Sequence, residues 1–167
     1  MGTRIIGLFL GGILLFVGAL MLNPEFRQIV NEVNVELLEQ AEEQGLLETE
    51  LPMGATNIVE NGCEVDGVLT GEIRFKLRGV KWSYRCASVA PMDDELPDLS
   101  GMDGAFDALE TQVRECPAAV SVNDEGAGKI IWYDAASGRA YSLSMAEDAN
   151  GDTLQSIANL IFTAVSK

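Results

Sequence analysis

Residues 73–86, IRFKLRGVKWSYRC, decide the fold class. Ile73, Phe75 and Leu77 alternate with Arg74, Lys76 and Arg78; beyond Gly79, Val80, Trp82, Tyr84 and Cys86 alternate with Lys81, Ser83 and Arg85. Successive side chains of a strand point to opposite faces, so a period of two sorts an apolar face from a polar one. The tight Arg78-Gly79 step between the two runs makes the segment a β-hairpin with one side for a core and one for water.

The same pattern returns downstream. Ile130-Ile131-Trp132-Tyr133 and Ala140-Tyr141-Ser142-Leu143 flank the turn Ala135-Ala136-Ser137-Gly138, with Tyr141, Leu143 and Met145 on one face. Val120 and Val122 predict a shorter strand just before. Two helices are expected beside the strands. Phe106, Leu109 and Val113 recur at helical spacing after Asp103-Gly104. At the end, Asp152 as N-cap with Gln155 at N3 opens a helix whose apolar stripe is Leu154, Ile157, Ala158, Ile161, Phe162 and Val165. Hairpins followed by helices indicate an α+β domain: an antiparallel sheet with helices on one face.

Upstream lies a different kind of segment. Ile5 to Leu22, IIGLFLGGILLFVGALML, is uncharged over 18 residues. As a helix it spans about 27 Å, close to the roughly 30 Å hydrocarbon thickness of a bilayer. A cleaved signal peptide is the rival reading, but Val17-Gly18-Ala19 is a poor cleavage site because Leu20, Met21 and Leu22 continue the apolar run. Arg4 precedes the run, whereas Glu25, Glu32, Glu36, Glu39, Glu42 and Glu43 follow it against Arg27 alone. The positive-inside rule then keeps the amino terminus cytoplasmic and puts the body outside. Gly7, Gly11 and Gly18 fall roughly on one face, where a partner helix can approach closely. Asn23-Pro24 caps a second helix carrying Phe26, Ile29, Val30, Val33, Leu37 and Ala41 and stopped by Gly45. Its apolar stripe must be covered by the domain itself or by a second chain. The expected organisation is a cytoplasmic tip and transmembrane anchor over residues 1–23, a juxtamembrane amphipathic helix and linker over 24–50, and an extracytoplasmic domain over 51–167.

Charge and composition narrow the function classes. With 26 acidic and 11 basic residues the formal net charge is -15. A phosphate-backbone binder needs an electropositive surface, so nucleic acid is not an expected partner. The chain has no histidine, which removes His-based triads, Cys-His dyads and imidazole metal sites. Cys63, Cys86 and Cys116 lie 23 and 30 residues apart, so no CxxC redox or zinc motif exists. No cofactor and no metal are expected. Asp148-Ala149-Asn150-Gly151-Asp152 begins like a calcium loop, but Thr153 and Asn159 stand where that loop needs glycine and glutamate.

The candidate ligand or partner surface is the outward face of the first hairpin. Arg74, Lys76, Arg78, Lys81 and Arg85 are five of the eleven basic residues, gathered within twelve positions of an acidic chain. Cross-strand neighbours bring them together as an anion-binding surface; the plainer reading is a solvated sheet face balanced by nearby carboxylates. Trp82, Tyr84, Trp132 and Tyr133 either line a ligand cleft or form core, and core is the commoner use of strand aromatics. Asp93-Asp94-Glu95, between Pro91 and Pro97, reads as a solvated loop. An exported domain with three cysteines is expected to hold one disulfide and one spare thiol, with Cys86–Cys116 favoured over Cys63–Cys86. The argument for the first pair is that the helix after residue 103 returns onto the sheet face carrying Cys86. Cys63 is placed in an Asn61-Gly62 turn. Such a loop of about 30 residues would contribute about 3 kcal/mol in the chain-entropy model.

Trp132-Tyr133-Asp134, Gly138, Tyr141-Ser142-Leu143-Ser144, and Asp152 followed by a helix with Ile157-Ala158 are similar to the end of the DUF4367 family. Leu51-Pro52-x-Gly54-Ala55 and Ser100-Gly101 also sit where that family tends to have such residues. The resemblance covers about 110 residues and implies a small sheet-and-helix domain outside the membrane of Gram-positive bacteria, with no catalytic constellation. The function expected from all this is a non-enzymatic, membrane-anchored extracytoplasmic binding or sensory domain. Its contacts are the bilayer through residues 5–22 and a protein partner or envelope ligand. The alternative is an accessory single-pass subunit of a membrane protein complex.

Overall fold

The hairpin at residues 73–86 is the centre of one side of a seven-stranded antiparallel sheet. The computed structural model describes residues 34–103 and 107–162. Its elements are α1 (Val35–Glu43), β1 (Thr56–Val65), β2 (Val68–Leu77), β3 (Val80–Ala87), β4 (Ala108–Val113), β5 (Cys116–Val122), β6 (Gly128–Asp134), β7 (Arg139–Met145) and α2 (Gly151–Ile161). The sheet order is β1-β2-β3-β7-β6-β5-β4, so two meanders are stitched together by the β3–β7 pair. The α+β class and the antiparallel sheet stand as expected. The apolar run 5–22, the first part of the helix begun at Asn23-Pro24, Phe106 and Val165 lie outside the described residues. Among the described residues no helix is long and apolar enough to cross a membrane.

Alternation fixes the core. Ile73 pairs with Tyr84, Tyr84 with Leu143 and Leu143 with Ile130, and the row beside it runs Cys86, Tyr141, Trp132, Ala118. These residues share one face and are buried. Trp132 stacks on Tyr141 at 5.2 Å between centroids, and Phe162 closes on both rings edge-on. Such pairs add about 0.5–1.5 kcal/mol beyond the area they bury. Trp82, Tyr84 and Trp132 are therefore core, and only Tyr133 lies on the other face of the sheet.

Both helices cover that same face. α1 ends in a Schellman motif: Leu46 N–H donates to Ala41 O at 2.9 Å, Gly45 N–H to Glu42 O at 2.9 Å, and Gly45 takes φ +65°. Ala41 and Leu46 are buried against the sheet, so the domain itself covers the described part of this helix. Gly62 and Gly71, paired across β1 and β2, form its seat. A Cβ at Gly62 would overlap the Leu37 backbone carbonyl, and one at Gly71 would lie 2.7 Å from Leu46 O. α2 is capped by Asn150, whose Oδ1 accepts from Asp152 N–H at 3.0 Å and Thr153 N–H at 3.3 Å. The cap thus falls two residues before the expected Asp152. Gln155, freed from a capping box, donates from Nε2 to the carbonyl of Gln112 on the edge strand β4. Asn159 accepts from the Arg114 N–H just past that strand.

Three expectations need correction. Asn61-Gly62 is mid-strand, and the turn is Asp66-Gly67, where positive φ at both residues (51° and 77°) forms a tight hairpin. Residues 108–113 are β4, not a helix; Leu109 and Val113 are four apart, which suits a strand's period of two as well as a helix turn. The disulfide is absent, and all three cysteines are free. Cys86 and Cys116 are separated by β7 and β6, because Cys86 pairs with Tyr141, Tyr141 with Trp132, and Trp132 with Ala118, two residues beyond Cys116. Cys116 shares the core face with Cys86, but with β4 in place of the expected helix nothing carries it across those two strands. Cys63 neighbours Cys86 across β2 but lies on the opposite face, since Gly62 rather than Cys63 pairs with Gly71.

Residues 88–103 leave β3 and cross the second face of the sheet as a strap. The strap turns sharply at Asp93-Asp94, where Glu95 N–H donates to Met92 O at 2.9 Å. It is pinned by Leu99, which packs on Ala87 and Ala140 with Val68, Val89 and Tyr133 around it.

Candidate functional site

Period-two alternation that buries Ile73, Phe75, Trp82 and Tyr84 sends Glu72, Arg74, Lys76, Lys81, Ser83 and Arg85 to the strap side of the sheet. Register then fixes neighbours: Glu72 opposes Arg85, Arg74 opposes Ser83, and Lys76 opposes Lys81. Four of the five expected basic residues share this face. The fifth, Arg78, occupies the exposed turn at φ 53° and leaves the face.

The basic residues differ in their surroundings. Glu72 is 5% exposed and lies among the hairpin's cations. Arg85 reaches it with Nε at 2.9 Å and Nη2 at 2.8 Å, Arg74 with Nε at 3.3 Å, and Ser83 donates Oγ at 3.0 Å. Burial pushes the Glu72 carboxyl up, but the charge and hydrogen bond of Arg85, with Arg74 and Ser83, outweigh it and hold it below the ordinary carboxylate range. Arg85 also donates from Nη1 to Leu99 O at 2.9 Å, tying the ion pair to the strap. Lys76 and Lys81, by contrast, face each other directly, and neither has a carboxylate within ion-pair distance among the described residues. Like charges directly opposite on a sheet repel, so this pair is a cost to the fold rather than a support.

The face extends beyond the hairpin. Ser83, Ser144, Lys129 and Ser121 pair in turn across β3, β7, β6 and β5, a row of three hydroxyls and an ammonium through the middle of the sheet. Ser142, in the adjoining row beside Arg85, is fully buried, and its Oγ has no hydrogen-bond partner among the described residues. Lys129 pairs with Asp98 of the strap and also donates to Met102 O at 3.5 Å. Burial raises the Asp98 carboxyl; the hydrogen bonds from Lys129 and Ser100 lower it further, below its usual range. Reading the sequence from Ile73 misses Glu72, although one more step of the same alternation reaches it. Lys129, Ser142 and Ser144 follow equally from extending the alternation of β6 and β7. Asp98 has no such signal, because it lies in irregular chain.

The cysteines offer no activated nucleophile. Burial pushes Cys86 up to about 12, only partly countered by Arg139. Burial also raises Cys63, against the opposing charge of Arg85. Cys116 lines an open cleft of about 500 Å³ with Arg114, Tyr133, Asp134 and Phe162; burial, then Asp134 and Glu115, push its thiol up. A thiol held protonated is a poor attacking group. Among the described residues no group of three Cys, Asp or Glu side chains converges as metal ligands. No protein-family model, curated protein or solved structure matches this chain.

Proposed function

We propose that the chain is a membrane-anchored, extracytoplasmic and non-enzymatic binding domain that engages an anionic partner or envelope ligand through the β2–β3 face. The observation that carries this reading is the Lys76–Lys81 pair. In a chain with 26 acidic residues, two opposed ammonium groups lie beside Arg74 with no carboxylate among the described residues paired to either, while Glu72 and Asp98 are assigned to Arg85 and Lys129. An arrangement that costs folding free energy and gains from an incoming anion is what a binding surface requires. Membrane attachment through residues 5–22 and the resemblance of the C-terminal hairpin and helix to the DUF4367 family belong to the same proposal.

The test uses the full chain in nonionic detergent as bait for an envelope fraction, beside Lys76→Glu/Lys81→Glu. Arg74 is left intact because reversing it would set a carboxylate against Glu72 and confound binding with folding. The double variant should lose at least about tenfold in affinity, and capture by the wild type should weaken with salt. Equal capture by both proteins across salt concentrations overturns the proposal. Protease added to intact protoplasts should degrade the domain; full protection refutes the topology. A stoichiometric membrane partner retained by the double variant would instead favour an accessory subunit.

A further inference from the structure

The strap treats the polar face as a ligand would. Three of its oxygens are directed at the two cations beneath it: the Asp98 carboxylate and the Met102 carbonyl at Lys129, and the Leu99 carbonyl at Arg85. Gly101 passes so close that a Cβ there would collide with Arg85 Nη1. Yet the fit is incomplete, since the Ser142 hydroxyl next to Arg85 is fully buried and finds no hydrogen-bond partner among the described residues. A buried hydroxyl without a partner costs about 1–3 kcal/mol, and a structure that carries one calls for an explanation. The row of Ser83, Ser144, Lys129 and Ser121 is equally odd as a strap seat, because apolar residues there would bury more favourably. Hydroxyls interleaved with an ammonium and a guanidinium instead make a floor that donates hydrogen bonds to oxyanions. The buried apolar plug of residues 97–102 is Leu99, with Val89 packed beside it at the start of the strap.

We propose that residues 97–102 are a displaceable internal ligand, whose Asp98 carboxylate and Leu99 and Met102 carbonyls hold the place of an external oxyanion over Lys129, Arg85 and Ser142. This second anion subsite rests on the proposed binding role of the neighbouring Lys76–Lys81 surface and deepens it. An oligomeric phosphate, sulfate or carboxylate first meets the open lysine pair. Its next anionic group replaces Asp98 on Lys129 and gives Ser142 an acceptor. The shared chemistry is an oxyanion repeated along a chain; the strap sets how much of the face it reaches.

The experiment titrates the full chain in nonionic detergent with tripolyphosphate, and in parallel with sulfate and citrate to separate the oxyanion types, while hydrogen exchange of residues 97–102 is followed. Ligand should accelerate exchange in the strap and leave β3, β6 and β7 protected. Asp98→Asn, which removes the internal carboxylate with little change of shape, should bind tripolyphosphate at least about fivefold more tightly than wild type. Lys129→Gln in that background should abolish the gain. Unchanged strap exchange at saturation of the wild type overturns the inference without recourse to any variant, as does an Asp98→Asn affinity equal to or below wild type. If Lys76→Glu/Lys81→Glu loses binding while Asp98→Asn gains nothing, the strap inference falls and the proposed surface survives. If neither wild type nor Asp98→Asn binds any of the three probes, the strap inference falls, and the envelope capture decides the surface separately.

Discussion

Gly62→Ala is the substitution that probes most directly how α1 is held. The added methyl would overlap the Leu37 carbonyl carbon and oxygen and the Leu38 nitrogen, all backbone atoms, so no side-chain rotation relieves it. The helix must lift from the sheet by roughly 1 Å or more, and a gap of that size forfeits about half of each dispersion well along the contact. Ala41 and Leu46, 0% and 1% exposed, are the residues whose packing is loosened. Overpacking typically costs about 1–3 kcal/mol, and partial loss of two buried apolar contacts adds to it, giving about 2–4 kcal/mol in all. Gly67→Ala is the matched control: its φ is +77° and nothing lies within 4 Å of the new Cβ, so only left-handed strain of about 1 kcal/mol is expected. Urea unfolding of the full chain in nonionic detergent, followed by tryptophan fluorescence, measures both. A Gly62→Ala protein no less stable than Gly67→Ala would refute the close seat of α1 on β1–β2.

Alkylation of the native protein at neutral pH without reductant should label the half-buried Cys63 and Cys116 before Cys86, which reacts only on unfolding because burial raises it to about 12. Peptide mapping checks this; any disulfide, or Cys86 reacting first, contradicts the structure. Glu72 is depressed by Arg85 against the opposing effect of burial, so its contribution is fully present above its ordinary value of 4.5 and is lost as pH falls through its folded value. The stability advantage of wild type over Glu72→Gln should therefore be constant from pH 7 to about 5 and shrink below that. An advantage that grows on acidification would show that Glu72 is not held ionised by its partners.

The sheet was legible wherever alternation ran unbroken. Residues 73–86 contain their own turn and two sorted faces, and residues 130–143 nearly so, which is why both hairpins are as read. β1 was hidden because Asn61-Gly62 has the composition of a turn; the glycine is there for the backbone of α1, a contact between segments that local pattern cannot express. β4 was hidden because a spacing of four fits either period, and its Leu109 remains 69% exposed at the sheet edge. The basic face was found by counting charges, but its organisation depends on Glu72 and Asp98. The first lay one step beyond the stretch read. The second reaches Lys129 only because the strap doubles back over the sheet, and no periodicity encodes that path. The disulfide failed for a related reason: its favoured pairing assumed a helix where the chain forms an edge strand.

That edge strand also bears on how the protein avoids sticking to itself. The outermost strand of an open sheet exposes backbone groups on which any neighbouring chain can extend the ladder. Here Gln155 occupies the Gln112 carbonyl and Asn159 the Arg114 N–H, both from α2. A passing strand therefore finds the C-terminal end of β4 already spoken for, and Glu110 adds a charge further along. The guard is tied to the core, because Leu154, Ala158 and Ile161 of the same helix are fully buried beneath it. Fraying of α2 would uncover apolar surface and unmask a pairing edge in one event, so the helix that completes the fold also guards the β4 end of the sheet.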